Sequence, residues 1–426
     1  MGSFLGYRCS VCGTEYAPDQ VTYTCPADGG NLDVVLDYAK IRGNIQPDSS
    51  EPGLWRYLPL LPVADPGGFE TPFRAVGGTP VFAAPRLAAS LGLHRLWIKD
   101  ESRNPSASFK DRASAVVVAR AREIGAETVV TASTGNAGAA LACMAAAMEQ
   151  KAVIFAPRTA PPAKIAQLLV FNATVLLVDG TYDDAFDLSI RAAGEFGWYC
   201  RNTGYNPFTA EGKKTAGFEI WEWWAGELGR DQLANRHTDP QSTDLPTTDL
   251  PSIFVSVGDG NIISGIHKGF KDLLALGWIE QMPRLFGVQA EGSAAIAHAF
   301  HTGTEVITPV SAQTIADSIS VDLPRDGVRA VRAARETGGS YLTVSDDNIL
   351  RAIKSLGAVG VFAEPAGAAA YAGLVKAAES GILQPNDPVV VLNTGSGLKD
   401  VRAAMQAIPE APIIEPRLEA IKRMIK

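Results

Sequence analysis

Short apolar runs rich in β-branched residues alternate with helix-length, alanine-rich segments, and this alternation constrains the fold more than any other feature. The runs are residues 128–132, 152–156, 174–178, 253–257, 285–289 and 388–392. Such alternation is typical of βαβ units, which form a mostly parallel sheet with helices on both faces. The pattern therefore predicts an α/β protein with two doubly wound domains.

The chain length supports this organisation. At 426 residues the chain is too long for one small core and suggests two sizeable domains with an appendage. We predict an N-terminal zinc-ribbon-like segment at 1–38, an N-terminal α/β part at 39–205 and a C-terminal α/β part at 206–426.

Charge and hydropathy exclude several classes of partner. A formal net charge of −8 and a sequence pI near 5.3 give no general attraction to nucleic acid or to anionic membranes. We find no apolar run long enough to span a bilayer, and the first residues lack the apolar core of a secretory signal. We expect a cytoplasmic protein with a small-molecule substrate and with neither a nucleic-acid nor a membrane partner.

The cysteines are concentrated at the N-terminus, where three of the five fall within the first 25 residues. Cys9 and Cys12 have the spacing of one zinc-binding turn, and Cys25 with Asp28 has the spacing of a second. A carboxylate is an uncommon structural zinc ligand, so two interpretations stay open. The four residues hold a structural zinc ion, or the segment is a relic that folds by packing alone.

Two turns between predicted strands and helices carry candidate reactive groups. Ser108 is the predicted N-cap of a helix whose first turn contains Lys110. The positive end of the helix dipole disfavours the ammonium, which prepares a neutral amine for a Schiff base. Thr394, in the turn after 388–392, could hydrogen-bond a pyridine nitrogen, although a second phosphate loop would have the same residues. Taken alone, Lys110 would equally fit a solvated lysine at a helix start.

Two further turns have the chemistry of anion sites. Residues 133–136 offer hydroxyl and backbone donors suited to a substrate carboxylate, and Asn136 could donate to a phenolate oxygen. Residues 256–261 combine glycines with a helix N-terminus, which suits a single phosphate. They lack a P-loop lysine and the dinucleotide-binding spacing. An ordinary capped helix start would also explain 133–136.

The order of these motifs resembles the fold-type II pyridoxal phosphate enzymes, most closely the threonine synthase family, over nearly the whole chain. The matching segments are residues 77–80, 108–112, 133–136, 258–261, 364–367 and 394–399. An N-terminal zinc-ribbon-like segment occurs in one branch of that family. The resemblance implies the tryptophan synthase β-like architecture and, by analogy, a homodimer.

The resemblance also implies roles for individual residues. Lys110 would bind pyridoxal phosphate covalently and act as general base and acid. The implied cofactor contacts are Asn136, Gly258, Asp259, Gly260, Asn261 and Thr394, and the implied substrate contacts are Ser133, Thr134, Asn202 and Thr203. The expected reaction converts O-phospho-L-homoserine and water to L-threonine and phosphate. The alternatives are a β-eliminase or β-replacement enzyme acting on serine, threonine, diaminopropionate or phosphoserine, and a catalytically silent regulatory homologue.

One position departs from the family pattern. Thr209 stands where many members have an arginine that binds the substrate phosphate. A hydroxyl cannot replace the charge of a guanidinium, so another cation is required. Arg112, Lys213 and Lys214 are the candidates.

Overall fold

The computed structural model describes residues 3–44, 50–133, 135–160, 162–238 and 250–425. Within these residues the strands are β1 Phe4–Cys9, β2 Glu15–Tyr16, β3 Leu32–Leu36, β4 Val81–Ala83, β5 Leu96–Asp100, β6 Thr128–Ala132, β7 Lys151–Pro157, β8 Thr174–Val178, β9 Tyr199–Cys200, β10 Ser252–Ser256, β11 Leu285–Ala290, β12 Ser340–Val344 and β13 Val389–Asn393. The helices are α1 Tyr38–Asn44, α2 Pro85–Ser90, α3 Lys110–Glu123, α4 Asn136–Ala147, α5 Pro162–Val170, α6 Tyr182–Phe196, α7 Phe208–Thr238, α8 Asn261–Leu276, α9 Ala295–His301, α10 Gly327–Glu336, α11 Asp346–Gly357, α12 Pro365–Glu379, α13 Val401–Gln406 and α14 Leu418–Met424.

Three sheets organise these elements. The larger sheet has the strand order β12-β11-β10-β13-β5-β4, and the smaller has the order β8-β7-β6-β9. Their pairings are parallel except for β4, which runs antiparallel to β5. The predicted α/β class and the six predicted strands are confirmed as β6, β7, β8, β10, β11 and β13. None of the described helices has the length and apolar composition needed to cross a membrane.

The sheets do not follow the order of the chain. β4 and β5 precede residue 205, yet they pair beside β13 in the sheet formed mainly after residue 252. The N-terminal segment forms a separate antiparallel sheet in the order β2-β1-β3. The boundary at residue 205 between the two α/β parts stays a prediction from the sequence.

Helix α3 begins at Lys110 in a way that the sequence did not indicate. Ser108 is not the N-cap: Phe109 holds that position, and no side chain caps the helix. The reason is that Ser108 forms a β-bridge with Gly395, while the Phe109 N–H donates to the Thr394 carbonyl at 2.9 Å. The start of α3 is therefore fixed against the turn after β13, which brings Lys110 close to Thr394.

A buried cluster of four charged side chains joins β5, α3 and α7. The Arg112 guanidinium donates to Glu101 and to Glu219, each at 2.7 Å. Lys99 donates to the second carboxylate oxygen of Glu219, also at 2.7 Å. All four residues are buried. Because two cations face two carboxylates, the cluster is balanced in charge, and the loss of any one member leaves an uncompensated buried charge.

Removal of the Arg112 charge should therefore destabilise the protein. We expect Arg112→Met to lower the free energy of unfolding by about 3–5 kcal/mol, because Glu101 and Glu219 would each lose a buried partner. Urea unfolding of the purified protein, followed by circular dichroism and by fluorescence, measures this change. Arg8→Met is the control, since Arg8 pairs with Glu15 at the surface, where ion pairs contribute little. Equal losses in the two variants would contradict the role of the cluster.

Candidate active site

A cavity of about 340 Å³ lies where the carboxyl ends of strands from the larger and the smaller sheet meet the starts of helices. β6 leads into α4, β10 leads into α8, and the turn after β13 lies beside the start of α3. The cavity brings together most of the predicted site residues: Lys110, Ser133, Asn136, Thr203, Gly258, Asp259, Gly260, Asn261 and Thr394. Ligands of doubly wound proteins bind at this edge of the sheet.

Two predicted substrate contacts are not among the lining residues. The Asn202 side chain accepts hydrogen bonds from the Thr131 hydroxyl at 3.0 Å and from the Ala132 N–H at 2.8 Å, and it donates to the Ser189 hydroxyl at 2.9 Å. Asn202 therefore supports the end of β6 from beneath the cavity. Thr134 lies outside the described residues.

The Lys110 amine lies in a setting that favours its neutral form. Burial lowers the pKa of Lys110 to about 8, and the positive charge of Arg201 acts in the same direction. Asp259 and Glu364 oppose this shift without cancelling it. With a pKa near 8, a larger fraction of Lys110 than of an ordinary lysine is neutral near physiological pH, and the neutral amine is the nucleophile and base that Schiff-base chemistry requires.

The turn between β10 and α8 has the chemistry of a phosphate cradle. Gly260 has a φ of 92° and immediately precedes Asn261, the first residue of the 16-residue helix α8. A Cβ on Gly260 would lie 2.7 Å from the Asp326 carbonyl oxygen, and one on Gly258 would lie 2.9 Å from the Ile319 Cα. Glycine is thus required for packing at both positions. The turn presents a helix N-terminus to the cavity, and this donor set fits the phosphate of pyridoxal phosphate.

Asp259, within the same turn, holds the neighbouring loop. Its carboxylate accepts from the Arg325 N–H at 3.3 Å, and its backbone carbonyl accepts from the Asp326 N–H at 2.9 Å. Burial raises the pKa of Asp259. A carboxylate that is harder to ionise opposes an entering anion less than an ordinary aspartate would.

Asn136, at the start of α4, meets a buried carboxyl group on the other side of the cavity. Its amide donates to Glu364 at 2.7 Å and to the Ser318 hydroxyl at 3.4 Å. Burial raises the pKa of Glu364. The Asn136 amide therefore already has oxygen partners at the point where the resemblance implies a phenolate oxygen.

The three candidate cations have different surroundings. Arg112 belongs to the buried charge cluster described above, and Lys214 forms ion pairs with Glu211 at 2.5 Å and Asp272 at 2.8 Å. Lys213 lines the cavity and donates to the neutral amide oxygen of Asn261 at 2.6 Å. Of the three, only Lys213 is among the cavity-lining residues.

Several residues at the cavity had no role assigned to them in the sequence analysis. Arg325 and Asp183 line the cavity and form an ion pair at 3.1 Å. Arg201 is completely buried beside the cavity residue Thr203, to whose hydroxyl it donates at 2.6 Å, and its Nη2 has no hydrogen-bond partner. Glu364 was part of a recognised segment without a role. No short motif marks Arg325 or Asp183, because they meet only through the tertiary fold.

The N-terminal segment brings its four predicted ligands together. One ligand atom from each of Cys9, Cys12, Cys25 and Asp28 lies within 4.8 Å of the others. The two turns have matching geometry: the N–H groups of Gly13 and Gly29 donate to the carbonyls of Cys9 and Cys25, respectively. Thiolate and carboxylate groups at this spacing fit tetrahedral zinc.

Residues 73–395 match the family model described as "Pyridoxal-phosphate dependent enzyme". Over 423 residues the chain is 36% identical to a threonine synthase of Methanosarcina acetivorans, with 98% of each chain covered. Over 425 residues it is 37% identical to a threonine synthase of Methanocaldococcus jannaschii, with 98% of this chain and 99% of the relative covered. The similarity to these relatives includes the N-terminal segment.

Solved structures show the same fold at lower sequence identity. The processed form of threonine deaminase isoform 2 from Solanum lycopersicum has a TM-score of 0.64 and 24% identity, covering 84% of this chain and 89% of that one. Maize serine racemase has a TM-score of 0.61 and 22% identity, with coverage of 76% and 89%. The fold-type II architecture is therefore confirmed.

The lowered pKa of Lys110 predicts the pH dependence of cofactor attachment. The amine is mostly protonated below about pH 8 and neutral above it. We therefore expect the rate of covalent attachment of pyridoxal phosphate to the apoenzyme to level off by about pH 9, whereas an ordinary lysine would become more reactive up to about pH 10 or beyond. Absorbance after rapid mixing measures the rate, and borohydride reduction with peptide mapping identifies the residue. Label on another lysine would refute the assignment.

Proposed function

Because this chain belongs to the pyridoxal-phosphate dependent enzymes, we propose that it is a threonine synthase, which converts O-phospho-L-homoserine and water to L-threonine and phosphate. The observation that carries this conclusion is the identity of 36–37% to two threonine synthases over 98% of the chain. A catalytically silent homologue is disfavoured, because it would most simply have lost the lysine or the phosphate loop.

The bound cofactor supplies an electron sink for the carbanion chemistry of the amino acid. Lys110 is the residue that binds it covalently, and its neutral amine accepts and returns the proton of the substrate Cα–H bond. The support for this role is the burial of Lys110 beside the cradle at 258–261 and its lowered pKa.

The remaining roles divide between cofactor and substrate. Gly258, Asp259, Gly260 and Asn261 form the turn that would hold the cofactor phosphate, while Asn136 would contact its 3′ oxygen and Thr394 would face its pyridine nitrogen. Ser133 and Thr203 would contact the substrate, as would Thr134 by the resemblance. Asn202 acts through its three hydrogen bonds to the scaffold rather than from the cavity wall.

Lys213 is the cation that takes the place of the missing arginine for the substrate phosphate. It lies four residues after Thr209 on α7, which is about one helical turn. The Thr209 hydroxyl instead donates to the Asn206 carbonyl at 2.7 Å, so its proton is bound to the backbone and not to a ligand. Burial, followed by Lys110 and Arg201, holds the pKa of Lys213 well below its usual value. An entering phosphate would therefore restore its charge and gain a direct contact.

Assay of the purified enzyme against a panel of amino acids tests the function. We expect O-phospho-L-homoserine to yield phosphate and L-threonine in equal amounts. Serine, threonine, phosphoserine and diaminopropionate should turn over slowly, because they lack the length or the phosphate for which the site is built. Rapid release of keto acid from one of these, without threonine formation from phosphohomoserine, would favour the related β-eliminase or β-replacement activity.

The Lys213→Met variant tests the phosphate assignment within the same assay. The KM for phosphohomoserine should rise about tenfold to a hundredfold, the value of one hydrogen bond to a charged group. The affinity for pyridoxal phosphate should change little. Lys354→Met, at an exposed position, is the control for loss of a lysine. Loss of cofactor affinity with an unchanged KM would instead place Lys213 at the cofactor phosphate.

A structural zinc ion at Cys9, Cys12, Cys25 and Asp28 is the second part of the proposal. Its support is the clustering of the four ligand atoms and the matching geometry of the two turns. With four protein ligands the ion would have no open position for catalysis.

Metal analysis of protein purified without chelators should find about one zinc ion per chain. Asp28→Ala should lower this content, because it removes one ligand. Asp19→Asn should not, since this exposed residue of the same segment lies outside the cluster. Folded wild-type protein that contains no metal would favour the relic.

The cellular location and the assembly state are expected from the sequence and the resemblance. A homodimer is implied by the resemblance, and a cytoplasmic location is expected from the charge. Both stay predictions.

A further inference from the structure

One side chain of the N-terminal segment, that of Asn31, hydrogen-bonds to two segments that form part of the cavity wall. The Asn31 amide donates to the Gly204 carbonyl at 2.5 Å and to the Arg325 carbonyl at 3.1 Å. These two acceptors belong to segments that are far apart in sequence, and each segment carries a cavity-lining residue: Thr203 in one and Arg325 in the other. Asn31 therefore joins two parts of the cavity wall from behind.

The joined segments pack closely at this point. Gly204 has a φ of +73°, and a Cβ there would lie 2.6 Å from the Arg325 Cβ. The Arg325 peptide groups are held on both sides, because its N–H donates to Asp259 while its carbonyl accepts from Asn31. The backbone of Arg325 is thus fixed independently of its side chain.

The Arg325 side chain extends from this fixed backbone and lines the cavity. Its guanidinium pairs with Asp183 at 3.1 Å and lies 4.8 Å from the centre of the Phe186 ring. Both partners are in α6, beyond the smaller sheet. The side chain is about one-third exposed. A displacement of its backbone would therefore move a guanidinium group that lines the cavity.

The position of Asn31 is itself well defined. Its backbone carbonyl accepts from the Ser10 N–H at 2.9 Å, and Asn31 forms a β-bridge with Thr24. Nearby, the Tyr23 hydroxyl accepts from the Cys200 N–H at 2.8 Å. The segment thus holds residues 200–204 at both ends.

We propose that Asn31 is a positioning residue that holds Thr203 and Arg325 at the substrate end of the cavity. This role, which rests on the proposed function for its substrate, lies outside the structural role expected of a zinc-ribbon-like segment. Asn31 touches neither substrate nor cofactor, and it acts through the two carbonyl groups that it binds.

The Asn31→Asp variant tests the proposal, because it keeps the size of the side chain and replaces the donor with a carboxylate that repels both carbonyls. We expect the KM for phosphohomoserine to rise about tenfold, with a smaller change in kcat. Hydrogen exchange should show faster exchange at 200–205 and 322–326. Unchanged KM and unchanged exchange would overturn the proposal.

Arg332→Met is the matched control for general weakening of the segment. Arg332 also crosses to the N-terminal segment, through a hydrogen bond to the Ser10 carbonyl, but its other hydrogen bonds go to Glu305, which does not line the cavity. This variant should leave the KM and the exchange at 200–205 unchanged. A KM increase equal to that of Asn31→Asp would reduce Asn31 to a structural support and overturn the proposal.

A double-mutant cycle separates the route of action. If Asn31 acts through Arg325, Asn31→Asp should raise the KM by less than about twofold in an Arg325→Met background, because coupled residues are not additive. Full additivity would contradict that route. The exchange measurement needs no substrate, so it still decides the role of Asn31 if the wild-type enzyme forms no threonine and the proposed function itself fails.

Discussion

The candidate active site depends on the buried ion-pair cluster of Arg112, Glu101, Glu219 and Lys99. Charges this deeply buried are tolerated only when each has a partner, so the cluster fixes the spacing of β5, α3 and α7. Lys110 lies two residues before one member, and Lys213 lies six residues before another. Lys110 and Lys213, which both line the cavity, are therefore positioned by the same balanced cluster.

The cavity depends equally on where parallel strands end. β6 belongs to the smaller sheet, and β10 and β13 to the larger, yet the turns that follow all three strands contribute to one cavity. Parallel strands direct their carboxyl ends to one edge, and the helices that follow present their N-termini there. Candidate anion sites from separate parts of the chain thus meet at one cavity, although each of the sequence motifs is short and is not specific when taken alone.

The sequence was sufficient for the parts of this arrangement that repeat locally. Strand-helix alternation predicted six strands, and the turn motifs together with the family resemblance predicted nine residues that line the cavity. It was insufficient wherever distant segments meet. Ser108 has the composition of an N-cap, but its backbone bridges Gly395, and Asn202 supports β6 although its motif suggested a substrate contact. Arg112, Lys213 and Lys214 were indistinguishable until their partners were known.

The distribution of charge explains why an anion is the natural ligand of this cavity. Lys110, Lys213 and Arg201 lie at or beside it, and burial lowers the pKa of each. The carboxyl groups that could balance them, Asp259 and Glu364, have their pKa values raised by burial. Burial thus shifts the pKa values of the basic groups and of the carboxyl groups toward their neutral forms, although Arg201, whose pKa is about 10, stays charged. The basic groups therefore have little fixed negative charge around them. A dianionic phosphate supplies that charge, so phosphate binding and the protonation of Lys213 should favour each other. Lys110 lies at the start of α3, where the positive end of the helix dipole disfavours its protonated form.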